Sequence, residues 1–229
     1  MAGVIAHNLF HRVGDIRTGV DVLRDVSLVA PAGAVTAVVG PAGAGKTSLL
    51  HVLAGLDRPA SGSVTIDGRN LRGLDDIELT RLRRERIGLL LPAASVLPTI
   101  TVRENVALPL LIHRRPPAPA AVDALLERAG LAAVADRRPA ELEVYCRQRV
   151  SLARALIGGP SLLLADEPTG DMDPEEGAEL LLLMREVAHE DGVAVVLFTR
   201  DIDDAAGVAD QIVALEAGRI VAPAAQLAA

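Results

Sequence analysis

The chain predicts an α/β fold: a parallel sheet with crossover helices and a helical insertion. Three observations carry this. The apolar run Thr36-Ala37-Val38-Val39 leads through a glycine-rich loop into a helical stretch, Thr47 to Ala54, that ends at Gly55. Later, the runs 161–165, 193–198 and 211–215 alternate with helical stretches at 174–190 and 201–209, the pattern of strands joined by crossover helices. Between these two parts, residues 93–160 carry loops and helical spacing but little strand pattern.

The elements follow in order. Val26-Ser27-Leu28-Val29 reads as a strand closed by Pro31-Ala32-Gly33, and the strand at 36–39 comes next. After the first helix, Gly55 to Gly68 is turn chemistry around the strand Ser63-Val64-Thr65-Ile66. Ile77, Leu79, Leu82 and Ile87 recur at helical spacing over Asp75 to Arg86. The buried strand Ile87-Gly88-Leu89-Leu90-Leu91 stops at Pro92. Within 93–160, Pro116-Pro117-Ala118-Pro119 is a stiff break, followed by helices near 120–130 and 147–157.

The loop after the second strand is Gly40-Pro41-Ala42-Gly43-Ala44-Gly45-Lys46-Thr47, with Ser48 behind it. Lys46 is the only lysine of the chain; the other 22 of its 23 Lys+Arg side chains are arginines. A phosphate cradle needs glycines so that backbone N–H groups can converge, a compact ammonium to reach the β- and γ-phosphates, and a hydroxyl for Mg²⁺. Strand, loop and helix in this order also direct a helix N-terminus at the phosphates. The loop therefore predicts nucleoside triphosphate binding by residues 40–48, with Lys46 also acting on the reaction.

Leu162-Leu163-Leu164-Ala165-Asp166-Glu167 is an apolar strand ending in two carboxylates. Alone, the pair could be two acids capping a buried strand. Beside a phosphate loop, Asp166 is placed to hold Mg²⁺ with Thr47, and Glu167 to polarise an attacking water.

From these residues a resemblance follows. Asp166-Glu167-Pro168-Thr169-Gly170-Asp171-Met172-Asp173 resembles the second phosphate-binding motif and D-loop of ABC-transporter ATPases. The order of phosphate loop, helical insertion, Gln148 to Leu156 and then the 166–170 segment is similar to the family's, and Leu97 to Leu110 resembles the branch that includes lipoprotein-release and macrolide-export ATPases. The resemblance covers nearly the whole chain. It implies one nucleotide-binding domain over 1–229, a P-loop NTPase with a RecA-like parallel sheet core, an N-terminal antiparallel β subdomain and a helical insertion at about 93–160. It also implies ATP and Mg²⁺ as cofactors, transmembrane permease subunits and a second nucleotide-binding subunit as partners, and a cytoplasmic place at the inner face of the cell membrane. The adenine-stacking aromatic of the family falls on His11, with Phe10 as the alternative.

The chain departs from the family pattern in three places. The signature segment, normally L-S-G-G-Q, aligns with Leu142-Glu143-Val144-Tyr145-Cys146. In the family this segment covers the partner's ATP, so an anion and bulky side chains stand where a hydroxyl and close backbone approach are needed. Two lost charge-assisted hydrogen bonds cost roughly 1.5–3 kcal/mol each. A carboxylate about 4 Å from a phosphate charge adds repulsion of about 4 kcal/mol at an effective dielectric near 20. The Q-loop glutamine aligns with Pro92, which has no side-chain amide. The switch histidine aligns with Arg200, which can only donate hydrogen bonds. The expectation is a subunit that binds Mg-ATP to power or gate transport but, as a homodimer, hydrolyses it slowly or not at all.

Composition bounds the alternatives. A net charge of −7 and a pI near 5.3 argue against nucleic acid as a partner. Arg81, Arg83, Arg84 and Arg86 read as one solvated helix face. The single Cys146 excludes an intrachain disulfide and suits a reducing cytosol. No apolar run reaches the roughly 18–20 residues that span a bilayer, and the first residues do not read as a signal peptide. The competing reading from another class is a pseudo-ATPase that uses ATP as a structural ligand while regulating or scaffolding a membrane protein. A phosphate-loop kinase or DNA-repair ATPase fits the 166–173 segment and the acidic charge poorly.

Overall fold

The computed structural model describes residues 2–14, 19–91, 96–112 and 118–223. It opens with two long antiparallel strands, β1 (Ala2–Val13) and β2 (Val20–Pro31), then β3 (Val35–Val39) and helix α1 (Lys46–Leu53). There follow β4 (Ser61–Ile66), β5 (Arg69–Asn70), α2 (Asp76–Arg86) and β6 (Ile87–Leu90). Three helices, α3 (Val102–Ile112), α4 (Pro119–Arg128) and α5 (Val144–Leu156), separate β6 from β7 (Leu162–Asp166). The chain then alternates through α6 (Pro174–Asp191), β8 (Ala194–Thr199), α7 (Ile202–Val208), β9 (Gln211–Glu216) and β10 (Arg219–Pro223).

Two sheets result. The antiparallel one runs β2-β1-β4-β5; the other runs β10-β9-β3-β8-β7-β6 and is parallel except where β10 folds back on β9. Burial on both faces explains the unbroken apolar runs: every residue of β7 and β8 is buried. With 1% aromatic residues, the core is Leu, Val and Ala, and Phe198 is its one fully buried aromatic.

Local chemistry sets the helix ends. Asp75 and Glu78 form a reciprocal capping box that starts α2. Asp173 caps α6 by accepting from the Glu175 N–H, Pro174 takes the first helical position, and Gly192 ends the helix at φ 72°. The Pro92 expectation lies outside the described residues, as do Pro116 and Pro117. Among the described residues no helix is long and apolar enough to cross a membrane.

The parallel register puts the working strand ends side by side. Val39 pairs with Thr199, and Asp166 with Phe198. The segments leaving β3, β7 and β8 therefore meet at the carboxyl edge of the sheet, where ligands of open parallel sheets bind.

Candidate functional site

The phosphate loop is shaped by backbone contacts. At Gly40 a Cβ would lie 2.2 Å from the Leu215 carbonyl oxygen, so the loop leaves β3 hard against β9. Gly45 sits at φ 105° with a would-be Cβ 2.7 Å from the Val22 carbonyl oxygen. It is the N-cap of α1 yet offers no side-chain cap, so the first N–H groups of the helix stay open to an anion.

Lys46 is 7% exposed, with its Nζ donating to the carbonyls of Gly40 (2.7 Å) and Pro41 (3.2 Å). The ammonium thus folds back over its own loop, and it also lies 3.4 Å from Glu167 Oε1. Thr47 Oγ1 donates to Asp166 Oδ2 at 2.9 Å, joining two elements 119 residues apart. Burial pushes the Asp166 carboxyl above its ordinary pKa, against the lowering effect of the Thr47 hydrogen bond. A hydroxyl and a buried carboxylate in contact are hard oxygen donors suited to Mg²⁺, which keeps its remaining positions for water and phosphate.

Glu167 follows at φ 44°, the left-handed region, which costs a non-glycine residue about 1–3 kcal/mol. Its N–H donates to the Phe198 carbonyl at 2.8 Å, which holds that turn against β8. Thr169 Oγ1 donates to Asp204 Oδ2 at 2.6 Å and ties the same loop to α7. Arg200, one residue past β8, meets the Glu167 carboxylate twice: Nε to Oε1 at 3.1 Å and its backbone N–H to Oε2 at 3.3 Å.

These groups line one cleft of about 420 Å³ formed by Ala42 to Ser48, Asp166, Glu167, Arg200 and Val22. The structure therefore brings Gly43, Ala44, Gly45, Lys46, Thr47, Ser48, Asp166 and Glu167 together, with Gly40 and Pro41 at the Lys46 ammonium. Two features escaped the sequence. Val22 carried no signal. The grip of Arg200 on Glu167 could have been foreseen only by pairing β7 with β8.

His11 stands apart. It is 8% exposed and outside the cleft, with Nε2 3.7 Å from Asp57 Oδ2. A ring buried to this degree presents no open face to adenine. Phe10 is 41% exposed.

Glu143 is the N-cap of α5 and makes no side-chain cap, so its carboxylate stands at that helix start unpaired by backbone N–H groups. Tyr145 turns to α6: its hydroxyl donates to Glu179 Oε2 at 2.6 Å, and Arg149 bonds the same oxygen at 2.7 Å while lying over the Tyr145 ring. Burial, helped by the Glu179 hydrogen bond, pushes the Tyr145 pKa up to about 12.

Comparisons with known proteins place the whole chain among relatives. A family model described as ABC transporter matches residues 23–170. The lipoprotein-releasing system ATP-binding protein LolD of Myxococcus xanthus is 45% identical over 184 residues, covering 80% of this chain and 82% of that protein. The pyoverdine export ATP-binding/permease protein PvdT of Pseudomonas entomophila is 41% identical over 208 residues, 90% of this chain, which spans only 32% of that longer protein. Among solved structures, the dimeric post-hydrolysis state of the ATP-binding cassette MJ0796 with ADP and Pi superposes with a TM-score of 0.86 at 32% identity, covering 96% of this chain and 97% of that one. A phosphate loop facing a paired Asp and Glu at the edge of a parallel sheet, and a family match over most of the chain, lead to one conclusion: the chain belongs to the ABC transporter family, as an ATP-binding cassette with a P-loop NTPase fold.

Proposed function

We propose that the chain binds Mg-ATP in the cleft at residues 40–48 and powers or gates transport through separate membrane-spanning permease subunits, with hydrolysis slowed. It would work paired with a second nucleotide-binding subunit, the same chain or a different one. Its place is the cytoplasmic face of the cell membrane, to which the permease would hold it. The names of the relatives support the transport role, since one releases lipoproteins and another combines ATP-binding and permease segments.

The observation that carries slowed hydrolysis is the double contact of Arg200 with Glu167. A general base must keep a lone pair free for the water it activates. Arg200 and Lys46 face Oε1 and the Arg200 N–H donates to Oε2, so of about four acceptor positions on a carboxylate only one, on Oε2, is left to a water. Glu143 at the start of α5 adds a second obstacle, because it would oppose a phosphate approaching that helix end in a head-to-tail pair.

The test compares ATP binding by calorimetry with steady-state phosphate release, using Glu167→Gln as the blank. Binding with release near the blank supports the proposal. Release far above the blank would refute slowed hydrolysis, and failure to bind Mg-ATP would refute the whole reading.

A further inference from the structure

Two opposite charges near the cleft are left unspent. Arg200 lines the cleft and donates to Glu167 through Nε and its backbone N–H, while its Nη1 and Nη2 make no hydrogen bond or ion pair among the described residues. A guanidinium whose terminal nitrogens are free is shaped for a pair of oxygens, those of a carboxylate or a phosphate. Lys46 Nζ and Arg200 Nε both reach Glu167 Oε1, at 3.4 and 3.1 Å, so Arg200 stands where Lys46 would meet the terminal phosphate of ATP. Glu143 is the matching group. It is exposed, its carboxylate caps no backbone N–H, and among the described residues it has no ion-pair or hydrogen-bond partner. The nearby cations of α5 are committed elsewhere, Arg147 to the Leu142 carbonyl and Arg149 to Glu179 and the Ala129 carbonyl.

Both groups belong to one edge of the fold, yet no ion pair joins them within the chain. α5 ends at Leu156 and turns tightly toward β7, with the Gly159 N–H donating to the Leu156 carbonyl, so its start points back toward the carboxyl end of β7. The hydrogen bond of Tyr145 to Glu179 holds that start beside α6. α6 in turn begins at Asp173, where the loop that leaves Glu167 ends. In a two-fold pair every contact between two residues is repeated in reverse, so a carboxylate that enters the facing cleft does so twice.

Resting on the pairing with a second nucleotide-binding subunit put forward above, we propose that this subunit is a second copy of the chain, and that Glu143 of each copy forms a bidentate ion pair with Arg200 of the other. The carboxylate then takes the place of the terminal phosphate. ADP leaves that place open, whereas ATP fills it with negative charge that repels Glu143. The pair therefore closes with Mg-ADP and is opened by Mg-ATP, a nucleotide dependence set by two side chains of this chain.

Sedimentation velocity on the full chain, with saturating Mg-ADP and with the magnesium complex of a non-hydrolysable ATP analogue, tests this. The dimer dissociation constant of wild type is expected to be at least about tenfold lower with Mg-ADP than with the analogue. Glu143→Ala and Arg200→Ala should each weaken the Mg-ADP pair by about tenfold, and the double variant no further, as for two residues that act on each other. Both residues are exposed, and calorimetry of Mg-ADP on each variant verifies that the cradle is intact. The inference is overturned if wild type forms no pair with Mg-ADP, or if the analogue pairs it as tightly. It is also overturned if either single variant pairs as wild type does, or if the double variant weakens by the product of the two singles. Calorimetry separates the two readings. A chain that binds Mg-ATP yet fails these outcomes overturns this inference alone, and a chain that binds no Mg-ATP overturns both.

Discussion

Arg200 holds Glu167 from two sides, through its guanidinium Nε on Oε1 at 3.1 Å and its backbone N–H on Oε2 at 3.3 Å. The contact joins residues 33 positions apart, because β7 and β8 are parallel neighbours that end together. Arg200→His removes the guanidinium contact with Oε1, keeps the backbone N–H on Oε2, and supplies a side chain that can accept as well as donate. Steady-state phosphate release should rise by about tenfold or more, up to the roughly 10²–10⁴-fold that a positioned general base contributes. An unchanged rate would show that the restraint lies elsewhere, with Glu143 the next residue to replace.

Asp166 supports a prediction of opposite sign for stability and binding. Burial raises its pKa in the folded protein, so the folded state binds more protons than the unfolded state between the ordinary and the raised value. Stability of the ligand-free protein therefore falls as pH rises through that window. Asp166→Asn keeps an acceptor for the Thr47 hydroxyl and removes the buried charge. Its melting temperature without nucleotide should exceed that of wild type at neutral pH, and its pH slope should flatten. The Mg²⁺-dependent stabilisation by ATP should disappear in the same assay.

Gly40 gives a steric prediction. In Gly40→Ala the new Cβ meets the Leu215 carbonyl oxygen at 2.2 Å, and backbone cannot yield as a side chain would. Overpacking of this kind costs about 1–3 kcal/mol, a melting-temperature drop of roughly 2–12 °C for a chain of this size. Calorimetric melting checks it, and an unchanged transition would contradict the close packing of loop and β9.

Tyr145 is the only tyrosine of the chain, so its ionisation can be followed by absorbance without interference. Burial and the Glu179 hydrogen bond place its pKa at about 12. In Glu179→Gln the carboxylate is gone, and the midpoint, read in rapid pH jumps before unfolding, should move down toward the ordinary phenol value. A midpoint that stays in place would mean that the α5–α6 contact is not what holds the ring.

Much of the architecture was legible because it rests on short-range rules. The apolar runs at 161–165 and 193–198 became β7 and β8, and Asp75 and Asp173 start helices by local hydrogen bonds. The glycines of the phosphate loop announced its shape for the same reason. The hidden features all depend on which distant elements touch. The Thr47–Asp166 bond spans 119 residues and needs the β3-β8-β7 order. Tyr145 reaching Glu179 needs α5 beside α6. His11 follows the same logic: position in sequence suggested a stacking platform, while the β1–α1 packing buries the ring beside Asp57.

The central claim is that the cradle binds ATP while the restrained Glu167 turns it over slowly. The most direct measurement is phosphate release by wild type against Glu167→Gln at a Mg-ATP concentration shown by calorimetry to saturate both. The account predicts saturable binding by both proteins and wild-type release within about tenfold of the variant. Release about 10²-fold or more above the variant, the contribution expected of a free general base, would contradict it.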